Sequence, residues 1–391
     1  MPEDDRGTAL EGTEMTRQTA RIPELDGLRG VAISLVIVFH YFYYNPGAGH
    51  HTTGLIRNAF VFLEKFFAVG WSGVDLFFVL SGFLIGGILL DVRASPHYFK
   101  TFYLRRFYRI VPIYYTWISA YLLLTCCSGK FFGKAGMVAA LFLFLQNFGL
   151  QYSSTLANAW FLPAWSLAVE EQFYLIAPLV IRLMSRRKLY MLLGAVILVA
   201  PILRIWVYRH IPVHGSLPLD YTLMPCRADS LALGILSALL WRNLAFREWL
   251  AGHRNLLRAL TGSFLAGTLA LFAWPPFKTS QLIQCVGITW IDVFYSLVMM
   301  LALVAPAGLI AVFARTHWLA EIGRVSYCLY LIHEAVRFSA GLLVKTVGPH
   351  APSWAFVAAN AVAAVISYLI SRVSWVYFEH PLLRRGHQWK Y

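Results

Sequence analysis

The stretch Leu28-Arg29-Gly30-Val31-Ala32-Ile33-Ser34-Leu35-Val36-Ile37-Val38-Phe39-His40-Tyr41-Phe42-Tyr43-Tyr44 decides the class of this chain. It is long enough to enter a bilayer as a helix, and Arg29 and His40 interrupt an otherwise apolar run. Eleven helical positions make three turns plus about 20°, so both side chains share one face, roughly 16 Å apart along the axis. Asp26, one turn earlier, shares that face. Ionisable groups at membrane depth are costly to keep, which makes Arg29, Asp26 and above all His40 candidates for chemistry.

Composition extends this reading to the whole chain. Of 391 residues 59% are hydrophobic and 13% charged, and long apolar runs recur from end to end. The expected fold is all-α: a polytopic membrane protein with candidate spans at about 27–45, 70–90, 107–126, 134–150, 166–183, 189–208, 225–241, 256–274, 286–313, 325–345 and 353–376. The polar opening residues lack the short apolar core of a signal peptide, so the N-terminus is expected to stay in the mature chain. The expected organisation is a cytoplasmic tail over 1–24, a membrane domain over 25–385 and a short cytoplasmic tail over 386–391.

If every run crossed, Arg182, Arg186, Arg187 and Lys188 would face outside, against the positive-inside tendency. Residues 134–150 are short, and Gln146, Asn147 and Gly149 near their end suit a re-entrant or outer-face segment. About ten crossings remain, with both termini cytoplasmic and the chain in the inner (plasma) membrane. The net charge of +14 is assigned to topology and to anionic lipid or cofactor contact rather than nucleic acid, because the basic residues flank span ends. Cys126, Cys127, Cys226, Cys285 and Cys328 show no metal-ligand spacing, so no metal is expected.

Leu25-Asp26-Gly27-Leu28-Arg29-Gly30 followed by His40 resembles the arginine-ten-histidine signature of acyltransferase family 3, integral membrane O-acyltransferases. Asp75 to Ile85 (DLFFVLSGFLI), Arg105-Arg106-Phe107-Tyr108-Arg109-Ile110-Val111-Pro112, Trp165 to Tyr174 (WSLAVEEQFY), Ser326 to His333 (SYCLYLIH) and Phe378-Glu379-His380-Pro381 continue the likeness in order. The resemblance covers about residues 21–385. It implies transfer of an acyl group from cytoplasmic acyl-CoA, acetyl-CoA foremost, to a hydroxyl, usually on a saccharide, at the outer side. Some members carry an esterase-like C-terminal domain. None is expected here, so transfer is completed alone or through a separate periplasmic partner.

A hydroxyl becomes a good nucleophile when a base takes its proton, and neutral imidazole suits that task near neutral pH; His40 is the expected general base. Arg29 either marks the inner helix boundary or, as the resemblance implies, binds donor or positions His40, with Asp26 as its local ion-pair partner. Arg105, Arg106 and Arg109 suit coenzyme A phosphates through bidentate donors, or lipid phosphates at a topological boundary. Glu170 is expected to orient the His40 imidazole, with Glu171 turned about 100° away toward substrate; the competing reading is two acids favoured near a helix N-terminus.

Arg227 and Asp229 could polarise the thioester or bind glycan, or form a mutual structural pair. Trp165 and His333 complete the expected substrate contacts. His50, His51, His210 and His214 fall in outer connections, and Trp160 and Trp274 could line a sugar surface or an interfacial belt. Two alternatives stand beside a glycan acceptor: acylation of a small natural product such as a macrolide, and a proton-coupled transporter that uses these residues as a relay. A covalent acyl-histidine is the mechanistic variant of direct transfer.

Overall fold

A computed structural model describes residues 22–43, 67–127, 135–149, 155–211, 217–273, 283–348 and 352–391. The N-terminal tail up to residue 21, His50, His51, His214 and Trp274 lie outside the described residues. Among the described residues ten helices are long and apolar enough to span a membrane: α1 (Pro23–Tyr43), α2 (Val69–Asp91), α3 (Tyr98–Cys127), α4 (Ala159–Leu183), α5 (Arg186–His210), α6 (Leu219–Trp241), α7 (Arg254–Phe272), α8 (Cys285–Val304), α9 (Ser326–Val347) and α10 (Trp354–His387). No strand occurs among the described residues. The chain is an all-α polytopic membrane protein.

Residues 134–150 do not form a span. The chain there breaks into Ala135–Phe142 and Gln146–Gly149, with Phe144 in the left-handed region at φ 54°. Polar side chains hold the break: Gln146 Nε2 donates to Ala164 O (2.7 Å), Gln172 Nε2 to Phe144 O (3.0 Å) and the Thr222 hydroxyl to Asn147 O (3.1 Å). Protein donors and acceptors thus satisfy an irregular backbone beside the bundle.

The expected span 286–313 is shorter than its apolar run suggests. α8 ends at Val304, and after Pro306 and Gly308 the chain makes two short helices, Leu309–Ala314 and His317–Arg324. These pack on the start of α1 at glycine distance. A Cβ on Gly27 would lie 1.6 Å from Ala314 O, and one on Gly30 would lie 2.1 Å from Leu319 O. The glycines flanking Arg29 are therefore spacers for this contact.

α2 is the central helix. It crosses α6 where a Cβ on Gly234 would lie 2.7 Å from the Gly82 Cα. α5, α7 and α10 form the rim, and their outward Leu198, Ile202, Leu269, Val365 and Leu369 are exposed as lipid-facing residues should be. At 30 and 34 residues, α3 and α10 are longer than a crossing needs at 1.5 Å per residue. Their excess lengths pack together at one end, where Gly386 meets Tyr108.

Candidate active site

α1 carries the expected pair into two different environments. Its α-helical part ends at Val38, and a π turn, Phe39–Tyr43, holds His40. Such turns concentrate at functional positions because they re-aim side chains at the cost of regular hydrogen bonding. Neighbours pin this one. Asn360 Nδ2 donates to Tyr41 O (2.6 Å), and Tyr41 Oη donates to His333 O (2.6 Å), so α1, α9 and α10 are tied together beside the imidazole.

The His40 Nδ1 lies 2.8 Å from Val36 O, and His333 Nδ1 lies 2.7 Å from Tyr330 O. A carbonyl only accepts, so each Nδ1 is the protonated nitrogen and each lone pair sits on Nε2. His333 Nε2 is 3.4 Å from His40 Nδ1 and can share that proton with Val36 O. Glu334 and Arg337 lie within electrostatic range of His40 and form a two-point ion pair, one bond being 2.9 Å. An imidazolium formed on His40 would thus have an acceptor and a carboxylate at hand.

His40, His333 and Glu334 each place a ligand atom within 4.8 Å of the others, a spacing a divalent cation could use. Both Glu334 oxygens already serve Arg337, however, which makes the carboxylate a poor ligand for a second cation.

Arg29 sits elsewhere. With Arg106, Arg109, Glu170, Tyr174 and Tyr330 it lines a cavity of about 90 Å³ among α1, α2, α3, α4 and α9. Its Nη1 is 4.0 Å from Asp26, the local pair expected from sequence. Buried Arg106 Nε has no hydrogen-bond partner among the described residues. A pocket holding several guanidiniums and one principal carboxylate is built for an anion.

Tyr330 joins the two places. Its hydroxyl is 2.5 Å from Ser166 Oγ and donates to Pro163 O (2.9 Å) at the cavity wall, while its own carbonyl receives the His333 proton. The cavity is below the roughly 300–1,000 Å³ of typical ligand pockets. A ligand larger than this space therefore enters only with side-chain movement.

Several expected placements are corrected by this geometry. Glu170 does not meet His40; its neighbours are Arg29, Arg109, Arg106 and the Tyr174 hydroxyl at 3.4 Å. The acid beside His40 is Glu334, which sequence reasoning passed over although it follows His333 directly. Glu171 lies outside the cavity lining, with Oε1 buried and unpartnered among the described residues.

Arg227 and Asp229 do not pair with each other, because residues two apart on a helix diverge by about 200°. Arg227 bonds Asp75, and Asp229 takes Arg204 Nη1 and Nη2 at 3.0 and 2.8 Å. All four are 0% exposed. Trp165 is buried against the same Arg227 guanidinium (5.9 Å), together with Tyr221 and Phe78. Trp160 stacks on Trp117 at 4.2 Å rather than offering a face to sugar. Arg105 is separated from Arg106 and Arg109: it donates twice to Trp389 O, at 3.0 and 2.7 Å.

Fold and site define a polytopic helical membrane protein with an arginine-lined cavity next to a pair of neighbouring histidines. The sequence matches the family described as an acyltransferase domain over residues 22–372, and the chain belongs to that family, acyltransferase family 3. It is similar to an O-acetyltransferase OatA of Staphylococcus aureus, 27% identical over 381 residues that make up 93% of this chain and 58% of the relative. It is also similar to a peptidoglycan O-acetyltransferase OatA of Listeria monocytogenes, 25% identical over 379 residues, or 93% of this chain and 56% of the relative. The chain thus spans a little over half the length of these relatives. No solved structure gives a significant match.

Proposed function

We propose that this chain transfers an acyl group, acetyl foremost, from cytoplasmic acyl-CoA to a hydroxyl of an envelope saccharide at the outer side. The supporting observation is one cavity that gathers Arg29, Arg106, Arg109 and Glu170, and whose wall residue Tyr330 accepts a hydrogen bond from His333, the neighbour of His40. Arg106 and Arg109 hold donor phosphates, and Arg29 with Glu170 sets the local field. The thiol arm runs past Tyr330 toward the π turn of α1.

His40 Nε2 then takes the acceptor's hydroxyl proton while the oxygen attacks the thioester carbonyl. The carbon–sulfur bond breaks, and the departing thiolate recovers the proton. His333 and Glu334 stabilise the transient imidazolium, a role for which the sequence pointed to Glu170. Orientation rests on the positive-inside tendency: Arg186, Arg187 and Lys188 at the α4–α5 turn, and both chain ends, face the cytoplasm in the inner membrane. The relatives named as O-acetyltransferases support acetyl as the group and peptidoglycan as one acceptor class.

Purified protein in vesicles should consume acetyl-CoA in proportion to added saccharide acceptor and leave an ester on it. Cells with and without the intact gene should differ by envelope O-acetyl esters in mass spectra. Solute uptake into the vesicles without acetyl-CoA consumption would overturn the acyltransfer reading.

A further inference from the structure

The ends of α3 and α10 that extend past the span gather cations, with Glu379 facing Arg109 at their inner edge. Lys100, Arg105, Arg106 and Arg109 lie on α3, and Arg384 and Arg385 on α10, followed by Lys390. No acidic residue occurs in 98–127 or in 380–391. Residues 388–391 fold back across this surface and are fastened through their backbone. Arg105 Nε and Nη2 donate to Trp389 O, and Thr101 Oγ1 donates to Lys390 O at 2.8 Å. The Trp389 ring stands over the Lys100 ammonium (5.1 Å) and the Tyr391 ring over the Arg105 guanidinium (4.7 Å).

Trp389 remains 40% exposed, so the tail presents an aromatic face beside Lys100 and Arg105, one residue along α3 from the cavity-lining Arg106. Cations alone would suit any phosphate ester, including a lipid headgroup. The pinned rings narrow the choice, because an aromatic face held among cations suits a purine joined to phosphates.

We infer that Trp389 and Tyr391, fixed by Arg105 and Thr101, form with Lys100 a docking platform for the adenine nucleotide end of the acyl donor, outside the arginine-lined cavity. This rests on the acyl-CoA reading above and deepens it. Arg105 becomes a positioning residue that holds the tail, while phosphates fall to Arg106, Arg109 and the surrounding cations.

The probe is adenosine 3′,5′-bisphosphate, the nucleotide end of coenzyme A without its arm, titrated calorimetrically into purified protein in phosphatidylcholine nanodiscs. Native protein should bind it saturably. Trp389→Ala should weaken binding about tenfold, the scale of stacking one base on a ring, and Trp389→Phe should restore most of it. In turnover, Trp389→Ala should lose preference for acetyl-CoA over the acetyl thioester of pantetheine, through KM rather than kcat.

Equal affinity of native and Trp389→Ala protein for the bisphosphate overturns the platform and leaves the donor reading standing. Failure of both the bisphosphate and acetyl-CoA to bind native protein overturns the donor reading with it. Loss of bisphosphate binding when phosphatidylglycerol is added to the discs assigns the cations to lipid headgroups and overturns the platform.

Discussion

Two groups of buried arginines lie within one bundle and are used in opposite ways. Arg204 and Arg227 are sealed: each meets an aspartate, Asp229 and Asp75 respectively, and aromatic rings cover the rest of Arg227. Arg29, Arg106 and Arg109 share a cavity in which Glu170 is the one lining carboxylate; Arg106 Nε, like Arg227 Nε and Nη1, has no hydrogen-bond partner among the described residues, and what sets the first group apart is the open space beside it. Residue type and burial within the bundle are alike. The difference lies in whether the fold supplies the counter-charge or leaves it for a ligand to supply, and only the second arrangement can bind an anion from outside.

The largest effect should come from breaking the sealed group. Asp75→Ala or Arg227→Ala leaves the other charge buried without its bonded partner, and such a loss costs about 3–5 kcal/mol. Either variant should unfold or precipitate at lower temperature in detergent, read by a fluorescence melt. Replacing the pair together by Met and Leu should recover much of that stability. Unchanged melting of the single variants would mean that the pair is not sealed in the membrane.

An intermediate effect is expected at Glu334. Glu334→Gln removes a negative charge beside His40 and leaves Arg337 uncompensated, which should slow turnover roughly ten- to hundredfold at an effective dielectric near 20. The loss should appear in kcat with acetyl-CoA binding retained. Glu170→Gln should act mainly on donor affinity, through its arginine neighbours. A kcat loss at Glu170 with none at Glu334 would restore the assignment suggested by sequence alone.

The smallest effect belongs to Arg242 and Asp91, bonded at 2.6 Å but about a third exposed. Removing that pair should change stability by no more than about 1 kcal/mol. A larger shift in the same melt would show that exposure is a poor guide to these pairs.

Sequence carried the fold well where hydropathy and charge combine. The basic turn at Arg186 to Lys188 forbids one crossing, and the polar Gln146 and Asn147 mark where the chain turns back. It overextended α8, because the apolar run continues through Pro306 into a separate short helix, Leu309–Ala314. It shortened α3, whose polar first turns extend past the span and carry no hydropathy signal.

At the site, spacing along one helix was legible: Asp26 does pair with Arg29. Pairings between helices depend on rotational register, which one sequence does not encode. Glu170 consequently went to the wrong partner, and Glu334 was missed. The Arg227–Asp229 pairing, by contrast, could have been rejected from the 200° between their directions.

The central claim is a division of labour along α1, with donor held by the arginine cavity and proton transfer carried by His40. Acetyl-CoA binding and single-turnover transfer, measured together on purified His40→Gln and Arg106→Ala/Arg109→Ala proteins, test it most directly. His40→Gln should bind acetyl-CoA as native protein does and lose roughly 10² to 10⁴ in transfer rate. The arginine variant should lose donor affinity, with added salt imitating part of that loss in the native protein. Native transfer rates in a well-folded His40→Gln protein, or unchanged donor affinity in the arginine variant, would contradict the account.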